Sequence, residues 1–254
     1  MIPRVAVTRY VTPLREGGSL PGIVEAADLG TYVCKFSGAG QGVRVLVAEV
    51  LVSQLAARLG LRTPRLVTLE LDRQIARYEA DEEVQDLLMA SIGLNLGVDY
   101  LPGAFGFDGD VEAEATDHGM ILWLDAFTAN VDRSWRNPNL LVWHGEVWVI
   151  DHGASLYFHH AWSRGITDPA RFAAQPWDPS DHVLRRHLDR VADADARARA
   201  LLSREVFAEI VAEVPDEWLT STPGATPDEL RQAYVDFLSA RLEGSSWLLG
   251  SDDE

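Results

Sequence analysis

A chain of 254 residues, 47% apolar and 24% charged, suits one large globular domain or two smaller lobes with a substantial core, and it has no apolar run near the ~20 residues of a membrane span. Its 39 acidic residues against 22 Lys and Arg give a formal net charge of −17, a field that repels nucleic-acid phosphates, and no basic cluster with interleaved aromatics offsets it. Direct nucleic-acid binding is therefore not expected, and a nucleotide polyphosphate would need metal ions and a few placed cations to be held.

The first residues, MIPRVAVTRYV, lack the apolar core and cleavage site of a signal peptide, which fits a cytoplasmic location. Residues 1–12 read as an edge strand with alternating apolar positions. A glycine-rich turn follows, RE-Gly17-Gly18-Ser19-LPG, then a strand at 23–26, a turn at 28–30 and a strong strand candidate at 31–36. A glycine-rich hairpin of this kind can close over phosphates, because its N–H groups approach without Cβ obstruction. The third strand carries Cys34, the sole cysteine, read as a buried thiol, and Lys35, the sole lysine. Where every other basic side chain is Arg, one Lys suggests that a compact point charge is needed.

A second glycine cluster, Gly38, Gly40 and Gly42, precedes a helix from about Val43 to Leu59. Its GxGxG spacing departs from the GxGxxG of dinucleotide folds, so a strand-to-helix connector is the better reading. Leu46, Val50, Leu51, Leu55 and Leu59 form a broad apolar face on the helix. Glu49, its only acid, lies among residues that pack. A buried Glu is costly unless paired, and Lys35 on the preceding strand is the obvious partner; the alternative is a solvent-facing Glu49 bridged to Arg44 or Arg58. A strand at 65–72 and an acidic helix at 76–92 come next. The extended stretch from Leu94, broken at Pro102-Gly103 and containing Tyr100 and Leu101, is a candidate crossing between lobes.

The second half reads as helical, with segments at 120–130, 181–202, 204–213 and 227–243, the last opened by a capping box, Thr226-Pro-Asp-Glu. Within it residues 130–153, NVDRSWRNPNLLVWHGEVWVIDHG, form the stretch richest in chemistry. Leu140–Trp143 and Glu146–Ile150, separated by His144-Gly145, predict a β-hairpin. If Trp143 pairs with Glu146, the register runs back to place Asp151 beside Asn137 and Asn139. A carboxylate beside an amide oxygen is a hard, oxygen-only pair suited to Mg²⁺ with phosphate ligands. Asp132 would hang in the same loop, giving one Asp to orient a hydroxyl and an Asn and a second Asp to hold metal. Asp125, inside the apolar helix before it, reads as structural. The histidines show no HxH or HxxxH pairing for a metal hydrolase, no Ser has a G-x-S-x-G setting, and the eight tryptophans read as packing.

In order and spacing, the glycine-rich hairpin, Lys35, Glu49, the connector at Tyr100–Gly103, NVDRSWRNPN and IDHG make the chain resemble the HipA-like kinases from about residue 10 to 243. The resemblance implies an α+β, two-lobed protein-kinase-like fold. Residues 1–103 would form an N-lobe of antiparallel sheet plus one helix, and residues 104–254 a mainly helical C-lobe. It implies an ATP- and Mg²⁺-dependent phosphotransferase acting on a hydroxyl, most simply a Ser or Thr of a protein. Gly17, Gly18, Ser19, Lys35, Tyr100 and Leu101 would then meet the nucleotide, with Glu49 holding Lys35. Asp132 would orient the acceptor or take its proton, and Asn137 and Asp151 would bind metal, with Asn139 as second choice to Asn137. With no Lys two residues after Asp132, Arg133 or Arg136 would have to supply charge to the transferring group. Ser19 is a candidate autophosphorylation site. The longer toxin kinases of the family carry an extra N-terminal region and pair with a DNA-binding antitoxin; this chain lacks room for that region, so the sequence does not support such a partner. A nucleotide-binding scaffold without turnover and a kinase for a cationic small molecule are the alternatives, the second suited to the acidic surface.

Overall fold

The computed structural model describes residues 2–14, 20–40, 42–77, 79–109, 117–244 and 247–248. The chain divides into two compact units, Met1–Val47 with Pro64–Pro102, and Ala48–Thr63 with Gly103–Glu254. The first is built on β1 (Arg4–Pro13), β2 (Gly22–Ala26), β3 (Thr31–Lys35), β4 (Leu66–Leu71) and β5 (Gly93–Asp99), closed in the order β1-β2-β3-β5-β4.

The expected antiparallel sheet with β1 on its edge is corrected. Arg4–Ala6 pair in parallel with Thr68–Glu70, while Val7–Pro13 pair antiparallel with β2. Register shifts between Val7 and Arg9 and between Tyr10 and Thr12 allow one bent strand to serve two partners. The sheet thus keeps no open edge there. One acidic helix was expected over 76–92; the segment instead forms α2 (Arg73–Arg77) and α3 (Glu82–Ala90), separated where Asp81 accepts from the N–H groups of Glu83 and Val84. Ala76, Val84 and Leu88 from these helices join Val24, Tyr32, Cys34, Phe36, Val67 and Leu69 in the core of this unit. Burial pushes the Cys34 thiol far above its ordinary range, so it stays protonated and inert.

Helix α1 (Val43–Arg58) is inaccessible on more than one face, Val47, Ala48, Val50, Leu51, Val52 and Leu55 being at most 1% exposed. From Ala48 it groups with the second unit, whereas the sequence division places all of it in the first half. The attachments explain this: Arg62, just beyond the helix, gives its carbonyl to the Val149 N–H at 2.8 Å and its guanidinium to Glu146, and Arg58 pairs with Glu209 at 2.6 Å.

The second unit is mainly helical: α4 (His118–Thr128), α5 (Ala170–Ala173), α6 (Val191–Leu201), α7 (Arg204–Val211) and α8 (Pro227–Glu243). A small sheet, β6 (Phe105–Gly106), β7 (Leu140–Trp143) and β8 (Glu146–Val149), lies within it. The capping box of α8 is formed in full by Thr226 and Glu229. Every residue of α4 is buried. Its C-terminal carbonyls at Ala126 and Phe127, and those of Ala173 and Gln175, all accept from the buried Arg241 guanidinium, which also lies 4.9 Å from the Trp247 ring centroid. Desolvation lowers the Arg241 pKa to about 9, yet four carbonyl dipoles solvate the cation.

The hairpin register is the one the sequence predicts, Trp143 opposite Glu146 through to Leu140 opposite Val149. His144 (φ 50°) and Gly145 (φ 78°) are both left-handed, as a type I′ turn requires. A Cβ on Gly145 would meet nothing within 4 Å, so Gly145→Ala isolates the backbone strain. It should cost about 1–2 kcal/mol, read as a lowered urea midpoint at unchanged m-value. His118 provides a second test, since burial first, then the charges of His187, Arg190 and Arg186, lower its pKa from 6.5 to about 4 against the opposing pull of Asp117. The folded state therefore holds this proton more weakly than the unfolded chain. Stability should decline as pH falls from 6.5 towards 4, and His118→Phe should flatten that limb.

Candidate functional site

The loop between α4 and β7 is organised from a single buried carboxylate. Asp125, on the last turn of α4, is inaccessible and accepts from Arg133 Nε at 2.5 Å, His182 Nε2 at 3.0 Å and Asn130 Nδ2 at 2.7 Å. Burial pushes this carboxyl up, but the Arg133 charge and the His182 hydrogen bond outweigh it and hold the pKa well below the usual carboxylate range. The Leu184 N–H donates to His182 Nδ1 at 3.0 Å, so Nε2 must carry the proton offered to Asp125. Asn130 in turn accepts the Asp132 N–H on its side-chain oxygen at 3.0 Å. Helix end, loop and residue 182 thus share one polar network.

Arg133 spends the rest of its guanidinium on the hairpin. Nη1 donates to the carbonyls of Asn139 and, at 3.2 Å, Ile150, and Nη2 lies 3.3 Å from His152 Nδ1. The Ile150 N–H also donates to the Asn139 carbonyl at 3.1 Å. The start of β7 is thereby tied to the residue before Asp151. Four residues in this neighbourhood, Ala129, Asn139, Asp151 and Leu156, are left-handed, with φ of 52°, 48°, 54° and 55°. Asn and Asp tolerate that region, but Ala and Leu pay about 1–2 kcal/mol each, a concentration of strain typical of functional loops.

Asp132 is half-buried within this frame. Asn137 Nδ2 donates to its Oδ2 at 3.0 Å, and Asn139 Nδ2 donates to its backbone carbonyl at 2.6 Å. Because a carbonyl only accepts, the second contact fixes the Asn139 amide with Oδ1 turned away from that carbonyl. Both asparagines thus meet Asp132, and the ladder brings Asp151 to the same end of the hairpin. Among the described residues no group of three or more His, Cys, Asp or Glu is placed to hold a metal ion; a carboxylate with amide oxygens fits a hard cation that takes its remaining ligands from phosphate and water.

Lys35, Tyr100 and Leu101 belong to the first unit. Lys35 is half-buried on β3 opposite Leu96; the Tyr100 N–H donates to the Thr31 carbonyl at 3.0 Å, and Leu101 is buried. Glu49 is 1% exposed on α1, which overturns the solvent-facing alternative. Gly17, Gly18 and Ser19 lie outside the described residues. Two expectations are corrected. Arg133, its side chain 0% exposed, is committed to Asp125 and the hairpin carbonyls and is not available to a transferring group. Trp135 is not a packing residue: it is 61% exposed, with the Arg136 guanidinium 4.3 Å from its ring centroid.

The description that matches this chain is that of the HipA-like kinases, over residues 7–243. The chain belongs to that family. No curated protein matches it. Solved structures with a similar fold include the Helicobacter pylori proinflammatory kinase CtkA, 12% identical, with a TM-score of 0.49 over 96% of this chain and 95% of that one. The Golgi casein kinase gives 12% identity and 0.43 over 95% and 71%, and its Mn/ADP-bound form 10% and 0.43 over 95% and 73%. The candidate residues Asp132, Asn137 and Asn139 stand on a loop braced by Asp125, a residue the sequence offers only as a structural charge in the apolar run MILWLDAF.

Removing one member of the buried pair should be far worse than removing both. Asp125→Ala, leaving the Arg133 charge without its carboxylate, should cost about 3–5 kcal/mol, whereas Asp125→Leu with Arg133→Met should recover much of that loss. Chemical denaturation of the two variants makes the comparison, and equal losses would contradict it.

Proposed function

We propose that this HipA-like kinase transfers the γ-phosphoryl group of ATP, with Mg²⁺, to a Ser or Thr hydroxyl of a protein. The observation that carries the reading is the placement of Asp132. Its carboxylate is held by Asn137, its carbonyl by Asn139 and its N–H by Asn130, so its orientation is set before an acceptor arrives. Preorganisation of this kind is what phosphoryl transfer asks of a protein, since positioning and charge neutralisation supply most of the rate.

In this reading Asp132 accepts a hydrogen bond from the acceptor hydroxyl and takes its proton. Asp151 and Asn137, with Asn139 as second candidate, offer the oxygen donors for the metal, which when bound neutralises charge on the phosphates. Lys35 contacts the phosphates with Glu49 as its partner. The burial of Glu49 supports that role, because a carboxylate out of water is costly unless paired. Gly17, Gly18 and Ser19, outside the described residues, and Tyr100 and Leu101 would complete the contacts to the nucleotide.

Incubation with Mg·ATP and a library of Ser- and Thr-containing peptides should yield phosphopeptides. Asp132→Ala and Asp151→Ala should each lower kcat by at least about 10²-fold with unchanged thermal unfolding. Phosphoryl transfer at the wild-type rate by either variant would overturn the proposal.

A further inference from the structure

Three residues beyond Asp132, the same loop pairs with the chain segment around residues 181–183. The Trp135 N–H donates to the Asp181 carbonyl at 3.3 Å, the Val183 N–H to the Arg133 carbonyl at 3.1 Å, and Ser134 bridges His182. Beside this pairing lies an open concavity of about 420 Å³, lined by Trp135, His182, Arg185 and Arg186 together with Ser180, Asp181 and Val183. Arg185 donates to the Ser180 carbonyl at 2.9 Å and Arg186 to the Gly109 carbonyl at 2.7 Å. Those bonds orient the guanidinium groups without neutralising them. Arg136, exposed and resting on Trp135, adds a third cation.

What sets these three charges apart is that they gather beside one concavity; Arg241, by contrast, also lacks a carboxylate among the described residues but is buried among carbonyls. Arg58, Arg62, Arg197, Arg204 and Arg231, among others, each have a carboxylate within salt-bridge distance. Among the described residues no carboxylate lies within that distance of Arg136, Arg185 or Arg186, although the chain carries 39 acids. Asp181 is the one carboxylate in the lining, against the Arg185 and Arg186 guanidinium groups, with Arg136 on the adjoining Trp135 ring.

We infer that this concavity reads an acidic side chain on the peptide that presents the acceptor hydroxyl, so that the preferred substrate is a Ser or Thr flanked by Asp or Glu. The inference rests on the kinase reading of Asp132 and specifies its substrate. Guanidinium forks match carboxylates in geometry as well as charge, and the exposed indole offers a flat surface to the peptide's apolar atoms. A short acidic segment meets only the local field, screened beyond about 8 Å at physiological salt. A long polyanion such as RNA would meet the −17 of the whole chain.

The test uses the full chain with Mg·ATP and two labelled Ser peptides, identical except that one carries Glu and the other Gln at the flanking positions. The Glu peptide should bind at least about tenfold tighter by fluorescence anisotropy, with a similar preference in kcat/KM. Arg185→Ala with Arg186→Ala should bring the ratio close to one. Those two side chains also hold main-chain carbonyls, so Arg136→Ala, whose guanidinium rests on the exposed Trp135 ring, is the second variant and should reduce the ratio at least about threefold. Equal binding of the two peptides to the wild type, or an unchanged ratio in both variants, would overturn the inference, as would tighter binding of a single-stranded RNA of equal charge. Selective binding of the Glu peptide without phosphoryl transfer would uphold the concavity's specificity while defeating the kinase reading.

Discussion

The buried ion pair of Asp125 and Arg133 is the constraint on which the functional half of this molecule depends. A charge in an apolar helix is expensive, and the structure meets the cost by giving Asp125 three donors and Arg133 acceptors on both sides of the hairpin base. The same bonds set where Asp132, Asn139 and Asp151 stand. A pair replaced by apolar residues of similar volume could well be as stable, but it would not hold two carbonyls of facing strands. Local geometry, more than stability, is what the pair secures.

A second buried cation completes the frame. Arg241 draws together carbonyls from the end of α4 and from around α5. The end of α4 is thus fixed by Arg241 on one side and by the Asp125 network on the other. It leaves the helix through a left-handed Ala129. Strain at Ala129 and Leu156 is affordable because the surrounding hydrogen bonds over-determine the path.

Charge acts at two scales. The net −17 of the chain argues for a cationic acceptor when it is taken as a whole, and that is how a small-molecule kinase enters the sequence reading. In the concavity beside Trp135 the sign reverses, because Arg185 and Arg186 line it with a single carboxylate, Asp181, and Arg136 rests on the Trp135 ring. At physiological screening the near charges dominate the local field there.

Much of the second unit's chemistry was legible in the chain itself. Period-two apolar runs flanking His144-Gly145 dictated the hairpin and its register, since a slip of one residue would turn Val142, Val147 and Val149 out of the core. Spacing then delivered Asp132, Asn137, Asn139 and Asp151 to one end of it, and the lone acid in α1 announced a buried Glu49. Only the tertiary structure decided the rest. That β1 closes the sheet through a parallel pairing depends on bulges without a local signature, and that the segment 76–92 breaks into two helices depends on the cap at Asp81. That Arg133 is buried while Arg136 is exposed depends on His182 and Asp125, far apart in the chain, meeting at one carboxylate. Periodicity and turn chemistry are local and can be read along a sequence; a guanidinium's partner is chosen by elements that only folding brings together.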